Sequence, residues 1–443
     1  MQRVWLAAAL ALCSPSAALA APDGYFDGRS AAEVELPRPP ATAPAAAGLD
    51  SRLWIVVRAP TKQARTAVAD TGISIEQVYG DRVGGIGTRA MIDRLKEQGL
   101  APIHVSELDR LLPADFPPED QAYHNYQELR KELEAIAARA PGLASIFVIG
   151  HSHQNREILA LRLNTDAAGR QKSGKPAIAF MGTHHAREHL STEVPLMLAA
   201  YLVDKRNEPE ISALLSRRDI FILPMINPDG VEHDISGGFY RMHRKNMREN
   251  GRGSIGVDLN RNYGFHWGEG GASDRPDSDI YRGPAPFSEP ETQAVKSFVE
   301  ERKDTIKILL SYHTFSELIL YPWGHSYDPI PDAEALAAYR AMAGTMGRMT
   351  GYTPQQSSEL YIASGDTTDW AWGAHRIFSF TFELTPKTMW DGGFYPGADA
   401  INTTFNNNIR PALYLIELAD DPYRAARTLS QTQLKPTPVS GGR

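Results

Sequence analysis

The sequence predicts an α/β protein with a mixed central sheet carrying helices on both faces, preceded by a small α/β domain. Two observations carry that reading. Beyond Asn125, apolar segments such as Ala177-Ile178-Ala179-Phe180 and Ile220-Phe221-Ile222-Leu223 alternate with helical stretches, the pattern of a sheet covered on both sides. Ahead of them, residues 52–112 form a separate short series of strand and helix signals.

In that first series, Leu53-Trp54-Ile55-Val56-Val57 reads as a strand and Lys62 to Asp70 as a helix. Another strand-like segment, a helix around Met91 to Gln98 and a strand at Ile103-His104-Val105 complete it. The prolines and acids of Leu111-Leu112-Pro113-Ala114-Asp115-Phe116-Pro117-Pro118 mark a boundary. A helix from Asn125 to Ala140 then opens the larger domain, expected over residues 120–419, and residues 420–443 lack periodicity and are expected to be disordered. The small domain is read as a pro-domain or a permanent accessory domain.

The N-terminus reads Met-Gln-Arg, then an apolar run from Val4 to Cys13, then Ala18-Leu19-Ala20, the layout of a secretory signal peptide over residues 1–20. Residues 21–51, rich in Pro and Ala, read as a linker. A secreted or periplasmic location follows, with no membrane span, because no later stretch reaches about 18 uninterrupted apolar residues. The single cysteine, Cys13, falls inside the leader, so the mature fold is expected to hold without disulfides. With 42% hydrophobic and 22% charged residues the chain reads as globular rather than disordered. A net charge of -7 supplies no basic stripe for a phosphate backbone, which argues against nucleic acid as a partner.

The chemistry concentrates in Thr183-His184-His185-Ala186-Arg187-Glu188, which follows a buried strand and precedes a helix. Open α/β sheets bind ligands at such a position, outside a strand's carboxyl end. An imidazole and a carboxylate three residues apart, joined by a distant imidazole, make the two-His, one-Glu set of a catalytic zinc. His313 is the expected partner. His184 competes with His185, but the Ala-Arg-Glu that follows selects His185.

Together, His185-Ala186-Arg187-Glu188, His243-Arg244-Lys245, Asp258-Leu259-Asn260-Arg261-Asn262, Ser311-Tyr312-His313, the segment from Tyr361 to Trp370 and Phe380-Thr381-Phe382-Glu383 resemble the zinc metallocarboxypeptidases of the carboxypeptidase A/B type. The likeness covers residues 120 to about 420 and implies a carboxypeptidase-like fold acting on the C-termini of peptides and proteins. It implies one Zn2+ per chain held by His185, Glu188 and His313, with one position left for a water whose pKa falls to about 7. Glu383 matches the general base and Arg244 the group that stabilises the oxyanion. Asn260 and Arg261 match the pair that holds the substrate's free carboxylate, for which a guanidinium fork is suited. Arg187 matches an auxiliary substrate contact, Tyr361 the tyrosine that closes over substrate, and Asp258 a carboxylate orienting His185. Where animal digestive relatives often carry Trp, this chain has His189 and His243.

In the same family the position of Thr368 lies at the base of the specificity pocket, apolar where large hydrophobic residues are preferred and acidic where Lys or Arg is. Thr368 is neither, and Asp366 could supply a charge from the wall. The resemblance therefore implies dual tolerance with aromatic and large aliphatic residues favoured. His151 and His153 are expected on an exposed loop, and Asp274, Asp277 and Asp279 in a solvated one. The competing functions are a cell-wall peptide hydrolase of related fold and an inactive binding module. The latter would have lost a ligand or the base, and all four residues are present.

Overall fold

The computed structural model describes residues 53–107, 120–236, 240–251 and 253–433. The expected leader (1–20), linker (21–51) and proline-rich boundary (113–118) lie outside the described residues.

The small domain runs β1 (Leu53–Arg58), α1 (Lys62–Asp70), β2 (Ser74–Tyr79), β3 (Arg82–Gly87), α2 (Arg89–Glu97) and β4 (Pro102–Glu107). Its four strands form an antiparallel sheet in the order β2-β3-β1-β4. The stretch expected as one strand between the two helices is thus a hairpin of two. The second was hard to read because Arg82-Val83-Gly84-Gly85-Ile86-Gly87 is glycine-rich, a composition that strands ordinarily avoid. The fold nevertheless requires Gly84, since a Cβ there would lie 2.3 Å from Cζ2 of Trp54.

Strand β1 is apolar from Leu53 to Val57 because both of its faces are covered there. Leu53, Ile55 and Val57 pack with Val68, Met91, Ile92 and Leu95 of the two helices. Trp54 and Val56 point the other way and pack with Tyr240, Met242, Phe315, Phe394 and Tyr395 of the larger domain. The small sheet is therefore fastened to its neighbour by the same strand that builds its own core.

The larger domain comprises α3 (Tyr126–Arg139), β5 (Ala144–His151), β6 (Glu157–Leu163), β7 (Ala177–Gly182), α4 (Leu190–Asp204), α5 (Pro209–Arg217), β8 (Asp219–Leu223), α6 (Pro228–Asp234), α7 (Pro290–Glu300), β9 (Ile306–Thr314), β10 (Leu318–Tyr321), α8 (Ala333–Thr350), β11 (Thr353–Gln356), α9 (Thr367–His375), β12 (Phe378–Leu384), α10 (Asp399–Leu418) and α11 (Arg424–Gln433). Its eight strands order as β11-β10-β12-β9-β7-β8-β6-β5. The central strands β12, β9, β7 and β8 run parallel, while β10 and β6 join them antiparallel. Alternation along β7 shows why both faces need helices. Ile178 and Phe180 enter the core beneath α3, α4, α8 and α10, and Ala177, Ala179 and Met181 enter the one beneath α7 and α9. The expected mixed sheet with helices on both faces is the one found.

Helix α3 starts where the sequence places it, capped by Asn125 with Glu128 reciprocating to complete a capping box. The C-terminal segment departs from expectation. It was expected to be disordered from residue 420, yet α11 forms and packs against α8, with Tyr423, Ala425 and Ala426 joining the main core. Tertiary burial of a few small residues supplies stability that local periodicity does not display. Residues 434–443 lie outside the described residues, and among those described no helix is long and apolar enough to cross a membrane.

Candidate active site

Three parallel strands end side by side at the site. His313 lies near the carboxyl end of β9, and Glu383 is its direct partner on β12, so both side chains leave the sheet on the same face. Strand β7 ends at Gly182, where a Cβ would sit 1.9 Å from the carbonyl oxygen of Ser191. Only glycine lets the start of α4 approach so closely. The chain then turns through Thr183, at a left-handed φ of 55°, and delivers His184, His185, Arg187 and Glu188 in one short loop.

His185, Glu188 and His313 converge with one ligand atom each inside 4.8 Å of the others. Nδ1 of His185 lies 2.7 Å from Glu188 Oε1, and Nδ1 of His313 lies 3.0 Å from Oε2. The two Nδ1 atoms are 3.1 Å apart. The far nitrogens are already engaged, His185 Nε2 with Asp258 Oδ1 at 3.1 Å and His313 Nε2 with Ser311 Oγ at 3.0 Å. Protons placed on both Nε2 atoms leave two imidazole lone pairs and a carboxylate facing one point. That donor set fits a divalent zinc ion. Burial and the neighbouring cationic field keep His313 below its ordinary pKa, which favours the neutral, ligating form.

Charge around this cradle is tightly paired. Arg244 donates through Nε to Asp258 Oδ2 at 3.1 Å, and its Nη1 lies 3.8 Å from Glu188 Oε1. Burial opposes its charge, but Asp258, Glu76 and Glu188 together hold the guanidinium firmly protonated. Asp258 is pulled upward by burial, yet Arg244 and His185 keep it well below the usual carboxylate range. Glu383 shows the opposite balance. Burial, reinforced by the charges of Glu188 and Glu76, raises it well above the ordinary glutamate value.

Asn260 and Arg261 lie in a short turn (Leu259–Arg261) capped by Asp258, whose Oδ1 accepts from the Asn260 N–H at 2.9 Å. Asn260 Oδ1 accepts from the N–H and Oγ1 of Thr367, at 2.9 and 2.8 Å. Arg261 donates to the carbonyls of Gly271 and Asn260 and, at 3.4 Å, to the hydroxyl of Tyr361. In the adjoining wall, Asp366 Oδ1 caps α9 by accepting from the N–H of Thr368 and Asp369 and from Thr368 Oγ1. Its Oδ2 is buried without a hydrogen-bond partner among the described residues. That oxygen faces Gly324, 3.1 Å from where a Cβ would be. Burial and the nearby Asp369 charge push the Asp366 carboxyl up to about 7.

What the small domain contributes here was not legible in its residues. Glu76, on β2, reaches Arg187 at 2.7 Å and lies 3.9 Å from Arg244. Tyr361 donates its hydroxyl to the Ile75 carbonyl at 3.2 Å. Arg187 is completely buried, held also by Asp279 at 3.1 Å. Asp279 is thus not a solvated loop residue as expected, because a buried guanidinium needs its carboxylate. A lone acid within Ser74-Ile75-Glu76-Gln77-Val78-Tyr79 looks like an exposed strand position, and only the docking of the two sheets buries it.

The remaining histidines resolve plainly. His151 and His153 are exposed as expected, and His153 lies in a turn where its Nε2 is 2.8 Å from Glu289 and its N–H donates to Glu291. Asn246 and Arg248 already satisfy that same pair of glutamates. His189 bonds to Asp234 at 3.0 Å among Tyr123, Tyr240 and Tyr395, and His243 packs edge-on against His233.

A metal cradle at the ends of parallel strands, with a raised-pKa carboxylate one strand away, is the apparatus of a metal-dependent hydrolase. Comparison with known proteins narrows the class. Residues 129–410 match the zinc carboxypeptidase family model, and the chain belongs to that family as a metallocarboxypeptidase. It is 35% identical over 387 residues to a zinc carboxypeptidase of Saccharothrix mutabilis subsp. capreolus, covering 82% of this chain and 88% of that protein. It is 36% identical over 273 residues to carboxypeptidase B of Astacus astacus, covering 59% of this chain and 86% of that one. Among solved structures, carboxypeptidase A from Helicoverpa armigera superposes with a TM-score of 0.69 at 25% identity, over 86% of this chain and 99% of that one.

Proposed function

We propose that this enzyme removes single residues from peptide C-termini at one zinc site per chain, held by His185, Glu188 and His313. The observation that carries this is the convergence of two Nδ1 atoms and a carboxylate beside Glu383 and Arg244. Zinc bound there would polarise the scissile carbonyl and lower the pKa of a coordinated water to about 7. Glu383 takes a proton from the attacking water and returns it to the leaving amine, a role suited to a carboxylate whose pKa is raised. Arg244, held charged, faces the developing oxyanion. Asp258 orients His185 through Nε2 and Arg244 through Nε.

Asn260 and Arg261 bind the terminal carboxylate of the substrate, which restricts cleavage to the last bond. Arg187 and Tyr361 contact the substrate once released from the small domain. Thr368 and Asp366 line the pocket for the terminal side chain. The neutral Thr368 suits apolar groups, and the unpaired Asp366 Oδ2 supports acceptance of Lys or Arg. The small domain is a pro-domain: Glu76 occupies Arg187, and the backbone of β2 holds Tyr361. Residues 1–20 are a secretory leader, supported by the apolar run from Val4 to Cys13 and the small residues that follow.

The deciding experiment is an assay of purified, zinc-loaded protein on peptides with free and amidated C-termini and on diaminopimelate-linked cell-wall peptides. Release of single residues from the free peptides alone is expected. Cleavage of amidated peptides, or a preference for the cell-wall links, would overturn the reading.

A further inference from the structure

We propose that His184 is a positioning residue that braces two groups at once, the metal-binding His313 through Ser311 and the carboxylate-binding Asn260 through Thr367. The inference rests on the proposed roles of His313 and Asn260. His184 is fully buried next to the cradle but presents no atom to it. Its ring stacks on that of His313, with centroids 5.6 Å apart and planes 14° from parallel. Its Nδ1 lies 3.2 Å from Ser311 Oγ, the atom that engages His313 Nε2 at 3.0 Å. Its Nε2 lies 3.2 Å from Thr367 Oγ1 and 2.9 Å from the Tyr263 hydroxyl. Thr367 Oγ1 in turn donates to Asn260 Oδ1 at 2.8 Å.

The direction of every bond in this relay follows from its first member. His313 must offer a lone pair at Nδ1 to hold a metal, so Nε2 carries the proton and donates to Ser311. The Ser311 hydroxyl then donates to His184 Nδ1, which leaves the His184 proton on Nε2. That proton is shared by the Tyr263 and Thr367 oxygens, and Thr367 donates onward to Asn260. The Asn260 carbonyl oxygen is thereby occupied, as its bond from the Thr367 backbone N–H independently requires. Its amide NH₂ is left to face the substrate, the polarity a carboxylate demands. An ordinary buried histidine needs only to be satisfied, whereas this one joins two hydroxyls whose far partners are a metal ligand and a substrate clamp.

Four variants of the zinc-loaded chain, each carried through the same activating proteolysis as the wild type, test the relay. Zinc loss to a chelator is measured alongside KM and kcat on a free-carboxylate peptide. Thr367→Val should raise KM at least about tenfold while zinc loss stays at the wild-type rate. Ser311→Ala should leave KM unchanged and speed zinc loss by about 10–100-fold. His184→Phe should produce both effects, and His184→Gln, which keeps a donor and an acceptor, should recover a large part of each. Wild-type KM and zinc retention in His184→Phe, or a smaller folded fraction with unaltered KM, would overturn the proposal. If His184→Phe does not fold, Thr367→Val and Ser311→Ala decide alone, and unchanged KM in the first or unchanged zinc loss in the second counts against the relay. Failure of the underlying zinc assignment registers separately, as normal zinc content in His313→Ala.

Discussion

At the residue scale, Glu383 and the proposed metal ligands differ in what their removal should do. His185→Ala and His313→Ala each delete one of two imidazoles facing Glu188, so metal analysis should find the site emptied. Glu383→Gln keeps shape and loses the proposed base: zinc should remain while turnover falls by at least about 10²-fold. Zinc retained in both alanine variants, or near-normal turnover in Glu383→Gln, would reassign these roles. Asp366 adds a dependence on pH. Its carboxyl, raised to about 7 by burial and by Asp369, is largely neutral at pH 6 and largely ionised at pH 8. Its attraction for a cationic side chain is therefore present above pH 7 and lost as pH falls. The ratio of kcat/KM for Lys- or Arg-ending peptides to that for Phe-ending ones should rise over this window, whereas the titration of Glu383 affects both substrates and cancels. A flat ratio in the wild type, or the same rise in Asp366→Asn, would remove Asp366 from the pocket.

At the element scale, the junction between β7 and α4 is the critical joint. Gly182→Ala forces a methyl group against the Ser191 carbonyl, 1.9 Å from the ideal Cβ, with backbone on both sides and no flexible side chain to yield. The helix must shift, at a cost of about 1–3 kcal/mol or somewhat more, and Glu188 moves with it. A lowered melting temperature together with weakened zinc retention is expected. A variant as stable as the wild type, with full zinc content, would mean that the joint has slack. The strands flanking this joint were legible because alternation between two cores makes β7 and β8 continuously apolar and short. Strand β3 was not, because Gly84, which lies against Trp54, and the other two glycines of the strand erase the usual composition. Helix α11 was not either, since its stability comes from α8 and the main core rather than its own pattern.

At the scale of the whole molecule, the two sheets meet at the site itself. Trp54 and Val56 pack on Phe315, Phe394 and Tyr395, while Glu76 lies against Arg187 and near Arg244. Removing one partner of such a buried pair typically costs about 3–5 kcal/mol, because the other charge stays buried. Glu76→Ala should therefore weaken the docking of the small domain and raise the peptidase activity of the full-length chain at least about tenfold, the equivalent of about 1.4 kcal/mol. Limited proteolysis between the domains should abolish the difference between variant and wild type. If the untrimmed wild type is already as active as the trimmed enzyme, the small domain is an accessory unit and Glu76 is a structural ion pair.

By itself the sequence determined the fold class and the family, and it singled out the candidate metal set that the fold brings together. Each of these is written locally: apolar periodicity in the strands, His185 and Glu188 three residues apart, and short polar segments at strand ends. The tertiary structure alone decided that Glu76 and Asp279 bracket Arg187, that one Asp366 oxygen has no hydrogen-bond partner among the described residues, and that His184 lies between the partners of His313 and Asn260. These pairings link residues up to 183 positions apart. A side chain's partner over such separations depends on how sheets and helices pack, and burial turns an ordinary acid or imidazole into a group whose charge and hydrogen bonds must be answered.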